Sequence, residues 1–423
     1  MSKYLHSNLN TLARSSTLAI NEYSDYLEKQ GIHVYRFGFG QSPFPVPNKV
    51  IDSLKENSSR KNYLSVDGLP ELRTAVANYH QKIDNVNIQS DQVLIGPGSK
   101  ELMFCLQLVL KGYTILPTPC WVSYAPQAKI LNREIIFIQT RYKDGWQLLP
   151  DQLSQSLNNS KDQPKLLILN YPGNPHGCTY EVEVLIQLAK VCRKNKIIIL
   201  SDEIYGRIHH QGEHVSMAKY YPEGTIISSG LSKWCAAGGW RLGHFSIPKE
   251  LKYLQDAMTS VASETYSCVS TPIQYAGITA YEDESIDDYL FHCRRILETV
   301  GQYCVSSLID AGIKVRMPKG AFYIFPDFQP FEEMLNKKNI FDSNTLCKQL
   351  LNDTGVALLP GSDFGREPKE LCVRLAYVNF KGGEALRKSI DLSKESTLTM
   401  EYLSESVLDV MKGIKEIVNW IKR

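Results

Sequence analysis

The sequence has no excess of charge of either sign and no long hydrophobic run. Its 423 residues include 47 Lys and Arg against 45 Asp and Glu, which gives a formal net charge of +2. This balance argues against the strongly basic surfaces that bind nucleic acids or anionic membranes. No stretch stays apolar for the roughly 20 residues that a membrane helix needs. We therefore expect small-molecule partners, with no nucleic acid and no membrane involved.

A secretory signal and paired cysteines are also missing. The N-terminal segment MSKYLHSNLNTLARSSTLAI has no apolar core followed by a small-residue cleavage site. Ten cysteines are scattered singly from Cys105 to Cys372, without a C-x-x-C pair or the short spacings of a zinc site. Reduced thiols are typical of the cytosol, so we predict a cytoplasmic protein without a metal site. Packing is the expected role of Cys178 and Cys235.

The middle of the chain alternates short apolar runs with helical patterns. QVLIG, YTILP, EIIFIQ, KLLILN, KIIILSDE, TIISS and GHFSIP are typical of buried strands, whereas SKELMFCLQLVL and EVEVLIQLAKVCRKN are typical of helices. Continuous apolar strands separated by helices predict a mainly parallel sheet that is buried on both faces, and hence an α/β fold.

Two further helices are predicted from the spacing of apolar residues. One begins at Pro70 and has an apolar face made of Leu69, Leu72, Val76, Tyr79 and Ile83. The other follows residue 395 and has a stripe made of Leu403, Val407, Val410, Ile414, Ile417 and Ile421. We expect both helices to pack on the body of the protein.

The pattern changes near residue 285, where helix, strand, helix, strand and helix follow one another and indicate a smaller α+β unit. We expect an N-terminal arm over residues 1–45 that forms part of this small domain. A large domain is expected over 46–285. The rest of the small domain, with its extra terminal helix, is expected over 286–423.

Ligands bind beyond the carboxyl ends of the strands in open parallel sheets. The loops at these ends carry chemically useful groups: Gly98, Ser99 and Lys100 after QVLI, Trp121 after YTILPTPC, Asn174 after KLLILN, Asp202 and Tyr205 after KIIIL, and Lys233 after TIISS. Together they suit one phosphorylated heteroaromatic molecule.

Each group has a physical role in such a site. Gly98 and Ser99 at a helix N-terminus offer free N–H groups to a phosphate, and Arg241 adds a charged fork to the same anion. Trp121 offers a flat face for stacking of a ring.

The remaining groups suit the ring and its reactive carbon. Asp202 can pair with a protonated ring nitrogen, while Asn174 and Tyr205 can hydrogen-bond to a ring oxygen. Lys233 supplies an amine that forms a Schiff base with an aldehyde and moves protons. Desolvation and the nearby cation Arg241 should favour its neutral form.

The motifs YPGNPHG, SDEIYG, SKWCAAGGWRLG and GAFY occur in the order and at the spacing of a known family. The chain resembles the class I/II aminotransferases, which are fold-type I pyridoxal-phosphate enzymes, and is similar to their bacterial aspartate and aromatic branch. The resemblance implies a seven-stranded, mainly parallel sheet between helices and a smaller α+β domain. It also implies pyridoxal 5'-phosphate as cofactor and ping-pong transamination between an amino acid and a 2-oxo acid.

By that resemblance, Lys233, Asp202 and Tyr205 are the catalytic residues. The other expected cofactor ligands are Gly98, Ser99, Lys100, Trp121, Asn174, Ser232, Arg241 and Tyr63. Arg374 is expected to hold the substrate α-carboxylate, together with Gly40, Trp121 and Asn174. Tyr63 matches a tyrosine that reaches the phosphate in the neighbouring subunit, which implies a homodimer with shared sites.

Two residues depart from the family pattern. His176 stands where threonine is usual after Asn-Pro, and we expect it to change loop packing more than chemistry. Gly230 stands where many relatives have a phosphate-binding serine, so phosphate binding is expected to depend more on Ser99, Ser232 and Arg241.

Other functions stay open at this point. A lyase or cyclising synthase on the same fold would use the same lysine, and a non-catalytic cofactor-binding protein is a weaker alternative. A dinucleotide site is disfavoured because Gly96-x-Gly98 lacks a third glycine. A metal site at His209, His210 and His214 is disfavoured because Gly212 interrupts the helical spacing.

Overall fold

The computed structural model describes Tyr4 and residues 6–9, 15–157 and 163–423. The expected N-terminal arm therefore lies partly outside the described residues. The strands are β1 (Tyr35–Arg36), β2 (Val93–Gly96), β3 (Tyr113–Thr118), β4 (Ile135–Gln139), β5 (Lys165–Asn170), β6 (Ile198–Asp202), β7 (Thr225–Gly230), β8 (Gly243–Ser246), β9 (Tyr323–Ile324), β10 (Val356–Ala357), β11 (Leu359–Pro360) and β12 (Val373–Ala376).

The α-helices connect and cover these strands. They are α1 (Ser16–Lys29), α2 (Asn48–Asn57), α3 (Pro70–Tyr79), α4 (Ser99–Val109), α5 (Tyr124–Ile130), α6 (Pro150–Leu157), α7 (Val182–Lys194), α8 (Lys252–Glu264), α9 (Thr271–Glu282), α10 (Ser285–Asp310), α11 (Glu332–Lys337), α12 (Ser343–Thr354), α13 (Gly382–Asp391), α14 (Met400–Leu403) and α15 (Leu408–Ile421).

A seven-stranded sheet forms the centre of the molecule, in the order β2-β8-β7-β6-β5-β3-β4. Strands β4, β3, β5, β6 and β7 pair in parallel, and β8 is antiparallel to both of its neighbours. The expected α/β fold with a mainly parallel seven-stranded sheet is thus confirmed.

Both faces of the central strands are buried, as their continuous apolar sequences predict. On β5, Leu166 and Ile168 belong to one core cluster, whereas Leu167 and Leu169 belong to another on the opposite face. Because side chains alternate along a strand, helices must cover both faces to keep all four out of water. This packing fixes the strand ends, where the polar residues of the site begin.

The helix that begins at Pro70 ends before the last residue of its predicted apolar face. Helix α3 ends at Tyr79 and a π-helical turn follows over His80–Asp84. The wider turn changes the angular spacing of side chains, so His80 and Asp84 are buried and Ile83 is 51% exposed. The expectation that Ile83 lies on the buried face was wrong for this reason.

A smaller α+β region lies beside the large sheet. Its three-stranded antiparallel sheet has the order β11-β12-β9, and β1 pairs with β10 in parallel. The pairing of β1 with β10 supports the proposal that the N-terminal segment belongs to the small domain. The boundaries at residues 45 and 285 stay predictions.

The C-terminal stripe forms two helices, α14 and α15, with a break at residues 404–407. All six predicted apolar residues are buried: Leu403, Val407, Val410, Ile414, Ile417 and Ile421. Gly413 allows α15 to approach Phe37, since a Cβ there would lie 2.6 Å from the Phe37 ring. The segment therefore packs against the chain beside β1.

In the described part of the chain, none of the helices has both the length and the hydropathy that crossing a bilayer requires.

Candidate active site

A cavity of about 510 Å³ opens where the carboxyl ends of β5, β6 and β7 face the small sheet. It brings together eleven of the thirteen predicted site residues: Gly40, Ser99, Lys100, Trp121, Asn174, Asp202, Tyr205, Ser232, Lys233, Arg241 and Arg374. Residues far apart in the sequence thus meet because parallel strands end at the same edge of the sheet. Gly98 lies directly beside this cavity, and Tyr63 lies away from it.

Lys233 follows β7 and points across the cavity. Its Nζ donates a 2.7 Å hydrogen bond to the carbonyl oxygen of Gly40. Burial and then the charge of Arg374 lower the pKa of Lys233, Asp202 partly opposes them, and the net value is about 8. Arg241 contributes less than Arg374, so the main cationic neighbour differs from the one that the sequence indicated. The neutral, nucleophilic form of the amine is thus more populated near neutral pH than in an ordinary lysine.

Asp202 ends β6 and is 3% exposed. Its Oδ2 accepts a 2.5 Å hydrogen bond from the Tyr124 hydroxyl, whereas its Oδ1 is buried without a hydrogen-bond partner. Burial raises the pKa of Asp202 to about 7, although the bond from Tyr124 acts in the opposite direction. A buried, unpaired carboxylate oxygen is costly unless a ligand satisfies it.

Asn174 and Tyr205 line the same cavity as Asp202. The backbone N–H of Asn174 donates a 2.8 Å bond to Asn170 Oδ1, which fixes the turn after β5. The hydroxyls of Tyr205 and Tyr323 are 2.9 Å apart. These bonds hold two polar side chains at the cavity wall.

Arg374 on β12 is the most deeply buried cation of the site, at 1% exposure. Its Nη1 donates a 3.2 Å bond to Asn174 Oδ1, and Nη2 donates to the carbonyl oxygen of Gly38. Its Nε is buried and has no hydrogen-bond partner in the structure. A buried guanidinium with a free donor is suited to bind a carboxylate.

The loop before α4 forms an anion-binding cradle. Gly98 has φ +91°, and a Cβ there would lie 2.2 Å from Arg241 Nη2. Helix α4 begins at Ser99, so its first N–H groups have no carbonyl one turn earlier to bind, and Ser99 and Lys100 both line the cavity. A Cβ at Gly243 would lie 2.4 Å from the Ser99 backbone nitrogen. Glycine is required at both positions for this close approach.

Gly230, which replaces a serine of the family pattern, has a packing explanation. A Cβ at this position would lie 2.6 Å from the Leu242 carbonyl oxygen and 2.7 Å from Gly243 Cα. Strands β7 and β8 therefore leave no room for a side chain. Ser99, Ser232 and Arg241 all line the cavity and can take over the phosphate contacts.

Trp121 and Lys100 form one edge of the cavity. Lys100 Nζ lies 5.0 Å from the centroid of the Trp121 ring, and the Trp121 ring meets Tyr124 edge-on at 5.3 Å. Burial and the charge of Arg241 lower the pKa of Lys100. The cavity thus holds an aromatic face and a cation beside the anion cradle.

Tyr63 does not reach the cavity of its own chain and is 88% exposed. Its predicted contact with the phosphate of a neighbouring subunit stays a prediction.

Sequence reasoning missed several residues of the site. Tyr124 and Tyr323 were not assigned roles, although Tyr323 is the last residue of the quoted motif GAFY. Three residues near the start of α1 also line the cavity: Ser15, Thr17 and Leu18. Their sequence has no signal for this, because only the tertiary fold brings the N-terminal helix to the site.

His176 packs inside the turn that carries Asn174. Its Nδ1 accepts a 3.0 Å bond from the backbone N–H of Cys178, and a Cβ on Gly173 would lie 2.2 Å from its Cε1. Burial lowers the pKa of His176 to about 3, so the ring is neutral. This geometry supports a packing role.

The other histidines and cysteines near the site have separate environments. His209 Nδ1 accepts a bond from Glu213 N–H, His210 Nε2 lies 3.2 Å from the Ala321 carbonyl oxygen, and His214 pairs with Glu203. The described residues contain no cluster of three or more His, Cys, Asp or Glu that could hold a metal. Cys178 and Cys235 are buried, and burial raises the pKa of both thiols to about 12.

The residues fit a phosphorylated pyridine aldehyde. Asp202 Oδ1 is an orphaned acceptor for a ring N–H, and the Lys233 amine is placed on the same cavity to meet an aldehyde. The cradle at Gly98 and Arg241 supplies the anion contacts. Pyridoxal 5'-phosphate has all three matching groups.

Comparison with known proteins agrees with this chemistry. The family model for aminotransferase class I and II matches residues 32–384. The chain is 32% identical over 388 residues to an aspartate aminotransferase of Bacillus sp. (strain YM-2), covering 89% of this chain and 95% of that protein. It is 30% identical to an asparagine–oxo-acid transaminase of Streptococcus mutans, covering 86% and 92%.

Solved structures give the same result. The aspartate aminotransferase of Thermus thermophilus with maleate matches with a TM-score of 0.82 and 27% identity, covering 92% of this chain and 98% of that chain. At 24% identity, the aspartate aminotransferase of Rhizobium meliloti shares the fold over the whole of both chains, with a TM-score of 0.84. The chain therefore belongs to the class I and II aminotransferases.

Proposed function

We propose that this aminotransferase binds pyridoxal 5'-phosphate on Lys233 and moves the amino group of aspartate to a 2-oxo acid such as 2-oxoglutarate by a ping-pong route. The observation that carries the proposal is the pairing, in one cavity, of a lysine with a lowered pKa and a buried carboxylate with an unsatisfied oxygen. Several relatives with about 30% identity are named aspartate aminotransferase, which supports aspartate as donor.

The cofactor supplies, when bound, an aldehyde that bonds to amines and a ring that accepts the electrons released when the substrate α-proton leaves. Asp202 would accept a hydrogen bond from the ring N–H through Oδ1 and keep that nitrogen protonated. Tyr124 holds the other carboxylate oxygen, which fixes the orientation of Asp202. Lys233 Nζ would move the proton from the substrate Cα to the carbon that carried the cofactor aldehyde, and in the reverse direction in the second half of the reaction.

The substrate is proposed to enter from the side of the small sheet. Arg374 binds the α-carboxylate and has a free Nε for this purpose. Gly40 lies beside the same part of the cavity, where its carbonyl oxygen accepts a bond from the Tyr323 hydroxyl. Lys100 is a further cation on the cavity wall and suits a second carboxylate on the substrate side chain. The maleate named with the Thermus thermophilus structure is a dicarboxylate of the same length as aspartate, which supports this choice.

A homodimer with shared sites is proposed from the exposed position of Tyr63. In such a dimer Tyr63 would complete the anion cradle of the partner subunit. A cytoplasmic location stays a prediction.

The test is a product analysis with the purified protein and added cofactor. With aspartate alone, the protein should release oxaloacetate in an amount equal to its cofactor and then stop. Addition of 2-oxoglutarate should restart turnover and yield glutamate. Ammonia release with continued turnover on aspartate alone would instead indicate a lyase, and absence of any reaction over a panel of amino donors would indicate a non-catalytic protein.

A further inference from the structure

A buried ion pair lies behind the wall of the cavity that carries Asp202. His214 Nε2 is 2.8 Å from Glu203 Oε2, and the two side chains are 8% and 4% exposed. Glu203 directly follows Asp202 in the sequence, and neither member of the pair lines the cavity. The proposed reaction gives neither residue a role.

The pair is charged and almost fully hydrogen-bonded. Glu203 Oε1 accepts bonds from Ser201 Oγ at 2.7 Å and from Ser216 Oγ at 2.8 Å. Burial alone would raise the pKa of Glu203, but the charge and hydrogen bond of His214, together with the two serines, hold it below its ordinary value. Glu203 in turn raises the pKa of His214 against the effect of burial. Both pKa shifts favour a carboxylate paired with a protonated imidazole, although His214 Nδ1 is buried without a hydrogen-bond partner in the structure.

Each member contacts a segment that carries a cofactor-site residue. The His214 ring packs on Gly206, next to Tyr205, where a Cβ would lie 2.8 Å from His214 Cδ2. The same ring lies 5.3 Å from the ring of Tyr171, in the turn that leads to Asn174. Glu203 thus adjoins Asp202, while His214 contacts Gly206 beside Tyr205 and Tyr171 three residues before Asn174.

A buried ion pair is a weak source of net stability, because the cost of removing two charges from water offsets their attraction. The pair has a clearer effect on the geometry of the chain around it. The bond between Glu203 and His214 closes the loop 203–214 on itself, while the Glu203 backbone N–H is fixed to the Ser228 carbonyl oxygen of β7 at 2.9 Å.

We infer that Glu203 and His214 are positioning residues, which hold Asp202 and Tyr205 at the separation that the cofactor ring requires. The inference rests on the proposed binding of pyridoxal phosphate. It concerns residues that act through their neighbours and do not touch the ring.

Other titratable groups also act on the pair and must be considered in any pH experiment. Asp84 raises the pKa of His214, His214 lowers that of His209, and Glu203 raises those of Tyr79 and Tyr171. Glu203 also raises the pKa of Asp202.

The chain contains a matched control for a test by mutation. His80 and Asp84 form a second buried pair, with His80 Nδ1 2.7 Å from Asp84 Oδ2 and side chains 1% and 5% exposed. The remaining ring nitrogen of His80 lies 3.2 Å from His244 Nε2. None of these three residues lines the cavity, so loss of this pair can reach Asp202 only indirectly, through the effect of Asp84 on His214.

The experiment compares His214→Gln with His80→Gln in the full chain. Three quantities are measured: the Kd for pyridoxal phosphate, the pH at which the visible absorbance of the bound cofactor changes, and the unfolding midpoint of the cofactor-free protein. Both variants should unfold more easily. Only His214→Gln should weaken cofactor binding, by about tenfold. It should also shift the absorbance transition to higher pH by roughly half a unit or more, because the uncompensated Glu203 favours protonation nearby.

If the wild-type protein binds the cofactor normally and the two variants have equal Kd values and absorbance transitions, this inference alone is overturned. A wild-type protein that takes up no cofactor would overturn the proposed function and the inference together. If His214→Gln does not fold, Glu203→Gln replaces it. That variant keeps the shape and neutralises both partners, so cofactor binding should weaken by about threefold with little shift of the absorbance transition. Unchanged binding in it would contradict the positioning role.

Discussion

The cavity has two walls that are built differently. The wall proposed to hold the cofactor, here called the cofactor wall, consists of Asn174, Asp202, Tyr205 and Lys233. These residues lie at or just beyond the ends of β5, β6 and β7, which are five or six residues long and almost fully buried. The substrate wall consists of Gly40, Tyr323 and Arg374, which lie on irregular chain or on the short strands β9 and β12. A long, buried strand holds its end rigidly, whereas a short strand depends on its neighbours.

Three hydrogen bonds join the walls. They run from Lys233 Nζ to the Gly40 carbonyl oxygen at 2.7 Å, between the Tyr205 and Tyr323 hydroxyls at 2.9 Å, and from Arg374 Nη1 to Asn174 Oδ1 at 3.2 Å. Each residue of the substrate wall is thus oriented by one of the cofactor wall. We therefore expect substitutions in the two walls to have different kinetic effects. Changes in the cofactor wall should affect cofactor chemistry, and changes in the substrate wall should affect substrate affinity.

The largest effect is expected for Asp202→Asn on the cofactor wall. Loss of the charge opposite the ring nitrogen should lower kcat by about a thousandfold. A normal kcat measured with aspartate and 2-oxoglutarate would remove Asp202 from the mechanism.

The same variant should stabilise the cofactor-free protein. The pKa of Asp202 is raised from 3.8 to about 7, so wild-type stability falls as the pH rises through that window. Above pH 7 the full penalty is present, and Asp202→Asn should raise the free energy of unfolding by about 1–3 kcal/mol. At pH 4 the two proteins should differ much less. Denaturant melts at both pH values measure this, and equal stability at pH 8 would show that the carboxylate is not strained.

On the substrate wall, Arg374→Lys should lower kcat/KM for both substrates by about a hundredfold, because an ammonium cannot reproduce the fork of donors. The Kd for pyridoxal phosphate should stay within about twofold, as steady-state kinetics and cofactor titration will show. A large loss of cofactor affinity would mean that the substrate wall also determines cofactor binding.

Gly98→Ala tests the anion cradle. The residue has φ +91° and its new Cβ would meet Arg241 Nη2, so both strain and displacement of the guanidinium are expected. Cofactor affinity should fall by about tenfold, measured by titration of the cofactor-free protein, with KM for aspartate nearly unchanged. An affinity equal to that of the wild type would show that the phosphate lies elsewhere.

The smallest effect concerns the pH at which Lys233 reacts. Its pKa is lowered to about 8, mainly by burial and then by Arg374. In the cofactor-free protein, labelling of this amine by an acylating reagent should rise with pH through a midpoint near 8. Arg374→Gln should raise that midpoint, since removal of a cation favours the protonated amine. A midpoint near 10 in the wild type would contradict the desolvated site.

The sequence predicted the cofactor wall better than the substrate wall, and the reason is physical. Continuous apolar runs such as KLLILN identify buried strands, and the residue after such a run must lie at a sheet edge. Strands were predicted around Tyr323 and Arg374, but strands of two and four residues do not indicate which side chain faces a ligand. Arg374 and Gly40 were assigned from family resemblance alone, and Tyr124, on a short helix, was not found.

The π-helical turn after Tyr79 shows a second limit. Apolar spacing placed Ile83 on the buried face, because it assumes a constant rotation per residue. The wider turn instead buries His80 and Asp84, whose contact could not be predicted from the spacing. The pairing of Glu203 with His214 likewise could not be predicted, because it depends on how the loop between them folds.

The central claim is that the Lys233 amine is the group that bonds to the cofactor aldehyde. Its most direct test is to mix the purified protein with pyridoxal phosphate, reduce with borohydride, and map the modified lysine by peptide mass spectrometry. The account predicts one modified residue, Lys233, and no visible absorbance band in Lys233→Ala. Modification of a different lysine with Lys233 left free, or an unchanged band in that variant, would contradict it.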